Sequence, residues 1–206
     1  MTFSVSRALV ALLAALCLSA GAVGADVPTV QFAGNGDQPI VTLSRTHGMV
    51  RGLVEKPLVN IYADGRVEVE RPAYMIRPGR YEFQLPAEGL AQLIASFDTS
   101  GVLKMDVRDV TAQRDALARA QRNATGEMFM TTDPTLTQIA FDFASFSRDG
   151  SNPAPLANQI RFSEVQVQAQ RYKSATGLNA LADAERQLLA LIDHPEMRAI
   201  GGQSND

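Results

Sequence analysis

The 206-residue sequence predicts an α+β domain, a mainly antiparallel sheet with two amphipathic helices packed on one face. Three observations predict it. Short apolar runs of period two are separated by the turn-forming pairs Asp64-Gly65, Pro78-Gly79, Asp133-Pro134 and Asp149-Gly150. Residues 87–97 and 176–193 carry apolar side chains at helical spacing. The chain order of strands, helix, strands, helix segregates the two kinds of element as this class requires.

Before the domain comes a leader. Arg7 precedes the apolar run 8–18, and Ala22, Gly24 and Ala25 close the segment, the pattern of a Sec-type secretory signal at 1–25. The run breaks at Ser19, Ala20 and Gly21, short of the about 20 apolar residues a membrane span needs. Leu16 is too bulky a neighbour for Cys17 to be lipidated. The expectation is cleavage near Ala25 and a periplasmic or extracellular protein that does not span the membrane. Of 19 basic and 22 acidic residues only Arg7 departs, leaving a net charge of −4. The single cysteine departs too, so no disulfide can form in an oxidising compartment. About 180 residues then suffice for one domain, stabilised by its core alone.

Residues 26–38 include Gly34-Asn35-Gly36-Asp37 and read as a flexible N-terminal arm; 39–194 form the domain; 195–206 read as a disordered tail. The first strand is 39–44 and a loop is expected at 45–52. Residues 58–62 and 66–70 flank Ala63-Asp64-Gly65, a hairpin signal. A two-residue loop mixes polar and apolar residues on both faces, whereas a three-residue loop with Gly65 left-handed pairs Ile61 with Val67 and Val59 with Val69. The second register is expected. Pro78-Gly79 predicts a type II turn before the alternation of Tyr81, Phe83 and Leu85. Pro86 suits a first helical position, and Leu90, Leu93, Ile94 and Phe97 form one helical face. Residues 98–101 end that helix, and 102–105 read as a short extended piece. Residues 107–123 predict a charged surface helix with Asp115 and Arg119 paired at i, i+4. Strands are expected at 125–131 and at 135–146, where Ile139, Phe141 and Phe143 share a face, then at 160–167 with a bulge near Ser163-Glu164. The last helix carries Leu178, Leu181, Ala182, Glu185, Leu188, Leu189 and Ile192 on one stripe, and Pro195 ends it.

The strand Ile40-Val41-Thr42-Leu43-Ser44-Arg45, the hairpin Ile61-Tyr62-Ala63-Asp64-Gly65-Arg66-Val67 and the helix after it resemble a bacterial exported family catalogued only as a domain of unknown function. The similarity extends to Asp133-Pro134-Thr135 and to the C-terminal helix, spanning residues 39–193. It implies fold and export, and no activity. The family often has cysteines between its first two strands; Thr46-His47-Gly48-Met49 stands there, so no cysteine role carries over.

His47 and His194 are the only histidines, and neither lies in a metal-ligand spacing, so no metal and no cofactor is expected. One carboxylate at Gly34-Asn35-Gly36-Asp37 cannot satisfy a calcium ion. Asp98-Thr99-Ser100-Gly101 is one residue longer than the aspartic-peptidase turn and has no second copy. No nucleophile elbow occurs, and no catalytic residue is assigned. Residues 45–80 hold seven basic against four acidic side chains, which favours an anionic partner. The acidic total and the export signal disfavour nucleic acid. The expectation is an exported, non-enzymatic binding domain that meets an anionic envelope component or protein through Arg45, His47 and Arg51 and the exposed sheet face. The alternatives are a hydrolase using His47, or an assembly or inhibitor protein in which an edge strand such as 125–131 joins a partner's sheet.

Overall fold

The computed structural model describes residues 29–47 and 56–200. The segment read as a leader, Arg51 and residues 201–206 lie outside the described residues. Among the described residues an eight-stranded antiparallel sheet carries four helices, and the α+β expectation holds. The strands are β1 (Val30–Ala33), β2 (Val41–His47), β3 (Val59–Ile61), β4 (Arg66–Arg71), β5 (Gly79–Gln84), β6 (Thr135–Arg148), β7 (Ala154–Ser163) and β8 (Arg198–Ala199); the helices are α1 (Ala87–Thr99), α2 (Val107–Thr125), α3 (Val165–Arg171) and α4 (Thr176–Ala190).

The long strand β6 organises the sheet. Its first half pairs with β2 and its last residues with β1, while β7 runs along its other side. From β2 the sheet continues through β3, β4 and β5 to β8. The β3–β4 register is Ile61 with Val67 and Val59 with Val69, the three-residue loop the alternation predicts, with Gly65 at φ +89°. That register buries one clean face. Leu90, Ile94 and Phe97 of α1 and Leu178, Leu181 and Leu188 of α4 cover it, and Phe97 meets Phe141 at 5.7 Å between ring centroids. Each such fully buried side chain contributes about 1.5–3 kcal/mol over an exposed one.

Seven local expectations are corrected. The arm contains β1, because Val30 and Phe32 alternate inward and Phe32 sets its ring edge against Phe143 at 5.9 Å. The loop expected at 45–52 does not start at Arg45, since β2 stays paired with β6 through His47, and residues 48–52 lie outside the described residues. The turn between β4 and β5 sits at Pro72–Met75, closed by the Met75 amide donating to the Pro72 carbonyl, and Gly79 already belongs to β5. Residues 102–104 form a short 3₁₀ turn after left-handed Gly101. No strand forms at 125–131. There α2 runs on to Thr125 and stops at left-handed Gly126, and β2 and β7 already occupy both sides of the first half of β6. The predicted bulge near Ser163-Glu164 is instead a full strand-to-helix switch. Glu164 adopts φ 56°, and Val165 and Ala169 then bury at helical spacing while Val167 stays exposed. In the tail, β8 pairs Ala199 with Tyr81.

Candidate functional site

Two places in the fold concentrate polar chemistry. The first is internal. Arg45 of β2 and Thr137 of β6 are direct cross-strand partners, so both side chains rise on the same face toward α4. There they meet Glu185, which sits on the otherwise apolar stripe of α4 and is only 1% exposed. The Thr137 hydroxyl donates to Glu185 Oε1 at 2.5 Å, Gln166 Nε2 of α3 donates to Oε2 at 2.8 Å, and Arg45 Nε lies 3.5 Å from Oε1. One carboxylate thus joins β2, β6, α3 and α4. A buried carboxylate is tolerable only with this degree of satisfaction. Arg45, 31% exposed, therefore has its guanidinium base committed to the core. His47 ends β2 opposite Thr135; its side chain, like Arg51, lies outside the described residues.

The basic excess of segment 45–80 is largely spent inside the molecule. Arg66 pairs with Glu68, Arg80 approaches Glu68 and Glu70 at 3.8 Å each, and Lys56 stands 3.9 Å from Glu70. Arg71 donates to the Ile192 carbonyl at 2.7 Å and pairs with Asp193. On the opposite face from Arg71, beside Arg66, Glu68 and Glu70, burial pushes the Tyr62 phenol above its usual value, and neighbouring Glu68 adds to the rise. This face is a ladder of matched charges.

The second place is at the surface, where the end of α2 and the segment after it meet the end of α3. A cavity of about 280 Å³ is lined by Arg119, Arg122, Met128, Phe129, Arg171 and Tyr172, among others. Asp115 pairs with Arg114 at 2.7 Å and not, as the spacing suggests, with Arg119. Arg119 and Arg122 are consequently exposed, and neither side chain makes a hydrogen bond or ion pair among the described residues. Arg171 lies over the Phe129 ring at 4.9 Å and faces Glu127 at 3.8 Å. Met128 is 67% exposed and Met130 81%, with Phe129 between them. In the sequence this site is split between a charged helix holding Arg119 and Arg122 and an expected strand holding Met128-Phe129-Met130, with nothing in the spacing to join the two.

His194 stacks on Phe83 at 4.1 Å and accepts from the Glu196 amide, a packing role. Asp98 lies in the last turns of α1 beside Arg148 at 3.3 Å, in keeping with the helix-ending reading of 98–101. Among the described residues no three His, Cys, Asp or Glu side chains gather as metal ligands, and no helix is long and apolar enough to cross a membrane. Compared with known proteins, the chain matches no family model, no curated protein and no solved structure.

Proposed function

We propose that this chain is an exported, non-enzymatic binding domain that engages an acidic, partly apolar segment of an envelope protein. The observation that carries the reading is the pairing of two unpartnered guanidiniums, Arg119 and Arg122, with the exposed Met128-Phe129-Met130 run around one cavity. Exposed methionine and aromatic side chains adapt to and grip apolar partners, and free arginines add carboxylate recognition. Helix ends contribute as well, since Arg122 and Arg171 stand in the last turns of α2 and α3 and offset the dipoles there. Arg119 stands a turn earlier than Arg122 and is free for a partner. The leader pattern at 1–25 and the resemblance to an exported family support the address. His47 at the end of β2 and Arg51 after it remain the competing contact surface.

The test is affinity capture from envelope extract on immobilised residues 26–206. The native protein is compared with an Arg119→Glu/Arg122→Glu pair, a Met128→Ser/Met130→Ser pair, and Arg51→Ala. The expected result is a protein retained by the native domain and by Arg51→Ala and lost by both pairs. Equal recovery across all four, or loss by Arg51→Ala alone, overturns the assignment. N-terminal sequencing of the exported protein is expected to begin near Asp26.

A further inference from the structure

We propose that β7 is a self-association edge, along which two copies of this chain pair their β7 strands antiparallel about a two-fold axis near Gln159 and Ile160. Among the described residues β7 pairs only with β6, so its outer side carries no strand over ten residues. Such edges are normally guarded by lysines, prolines or bulges. Here residues 156–160 hold no charge, and Pro155 and Arg161 stand only at the flanks.

The direction of the free main-chain groups follows from the ladder. The Glu164 amide donates to the Thr135 carbonyl, which makes that pair a hydrogen-bonded one in the β6–β7 register. Alternation then turns the even-numbered residues of β7 toward β6 and directs the N–H and C=O of Ala157, Gln159, Arg161 and Ser163 outward. Ala157, Gln159 and Arg161 are also exposed, and Arg161 makes no ion pair or hydrogen bond among the described residues.

These groups are self-complementary. With Gln159 opposite itself, Ala157 of each copy faces Arg161 of the other, and about six main-chain hydrogen bonds form, two per pair. With Gln159 opposite Arg161, Ala157 faces Ser163 and the ladder gains one further pair. Neither register sets two arginines directly opposite, and both keep Pro155, which has no N–H to donate, out of the centre. A two-fold pairing of this kind is closed, so it yields a dimer and not a fibre. This edge and the cavity beside α2 are separate surfaces, and each can fail without the other.

Sedimentation of residues 26–206 over a range of concentrations is expected to show a doubling of mass. Gln159→Pro deletes an outward N–H that the fold does not use, so it is expected to abolish the dimer and leave the circular dichroism of the monomer unchanged. Residues 26–206 contain no cysteine, which permits a second, independent reading. Under oxidation Gln159→Cys, alone or mixed with Arg161→Cys, is expected to cross-link, because hydrogen-bonded antiparallel pairs hold Cα atoms about 5.5 Å apart, within disulfide reach. Ala157→Cys alone is expected not to. A monomer at every concentration, a dimer that survives Gln159→Pro, or cross-linking equally efficient from Ala157→Cys alone would overturn the proposal. So would a native protein that recruits only a foreign strand to this edge.

Discussion

Glu185→Ala is the most informative single change. The carboxylate accepts hydrogen bonds from Thr137 and Gln166 and faces Arg45 Nε, and its removal leaves these donors with unequal losses. Gln166 Nε2 keeps a second acceptor in the Ala182 carbonyl at 2.7 Å, so its loss is partial. The Thr137 hydroxyl is buried and left dry, at about 1–3 kcal/mol for an unsatisfied group. Arg45 Nε has no other partner, though the side chain as a whole is 31% exposed and its outer nitrogens reach water. Breaking a fully buried ion pair from one side costs about 3–5 kcal/mol, and the exposure of Arg45 places this case at the lower end, about 3–4 kcal/mol. Glu185→Gln keeps an acceptor for Thr137 and is expected to cost about 1–2 kcal/mol. Urea unfolding at neutral pH measures both, with the slope unchanged. A loss below about 1 kcal/mol for Glu185→Ala would refute the claim that this carboxylate ties the helices to the sheet. Arg45→Ala, which removes the cation facing Glu185, is likewise expected to lower stability, so any loss of partner binding by that variant must be read against its unfolding curve.

Two further outcomes follow from local geometry. Asp106 caps α2, accepting from the Arg108 amide at 2.8 Å, and the Arg108 side chain bonded to it holds its carboxyl below the ordinary aspartate range. A depressed folded-state pKa means that the contribution is full above the unfolded value and vanishes as pH falls through the folded one; Asp106→Ala is therefore expected to lower Tm at neutral pH, with the difference from native closing in acid, as read by helical circular dichroism across a pH series. The second outcome contrasts two left-handed glycines. A Cβ at Gly65 meets the Leu85 carbonyl oxygen at 2.5 Å, whereas at Gly101 nothing lies within 4 Å. Gly101→Ala is expected to cost only the backbone term of about 1–2 kcal/mol, and Gly65→Ala clearly more, in the same urea assay.

Legibility tracked how local the determining interactions are. The β3–β4 hairpin was readable to the residue because only one loop length sorts Val59, Ile61, Val67 and Val69 onto one face. The faces of α1 and α4 were readable for the same reason, each being a single stripe against a single sheet. By contrast β1 has four residues and follows no turn signal; only Phe143, more than a hundred residues away, makes Phe32 a core residue. The switch at Glu164 was half visible. The change of phase at Ser163-Glu164 marked the place, but the left-handed Glu164 is fixed by β6, whose Thr135 carbonyl accepts the Glu164 amide and whose Thr135 amide donates to the Glu164 carboxylate. Of the candidate site, Arg45 was legible as a cation at a strand end and Glu185 as an acid in an apolar stripe. Their meeting across β2 and α4 is tertiary and left no trace in spacing.

The two proposed surfaces differ in how firmly the fold holds them. β7 lies against β6 along most of its length and buries Ile160 and Phe162, so its edge is preformed and presents its amides without rearrangement. α2 is the opposite case. Of its nineteen residues only Val110 is buried, and it leans on α4 where Gly177 allows close approach; a Cβ there would lie 3.1 Å from Val110 Cγ2. Little apolar burial and solvent-facing hydrogen bonds put such a helix at the low end of local stability. Its order rests on its ends, the Asp106 cap and left-handed Gly126, whose amide donates to the Arg122 carbonyl. Fraying from Gly126 would separate Arg119 and Arg122 from Phe129 and Arg171, which are placed by α3. A partner gripping all four must therefore stabilise the last turns of α2 as it binds, and part of its contact energy is spent on that ordering. Recognition at this site is accordingly coupled to the helix cap nineteen residues upstream of Thr125, whereas pairing along β7 is not.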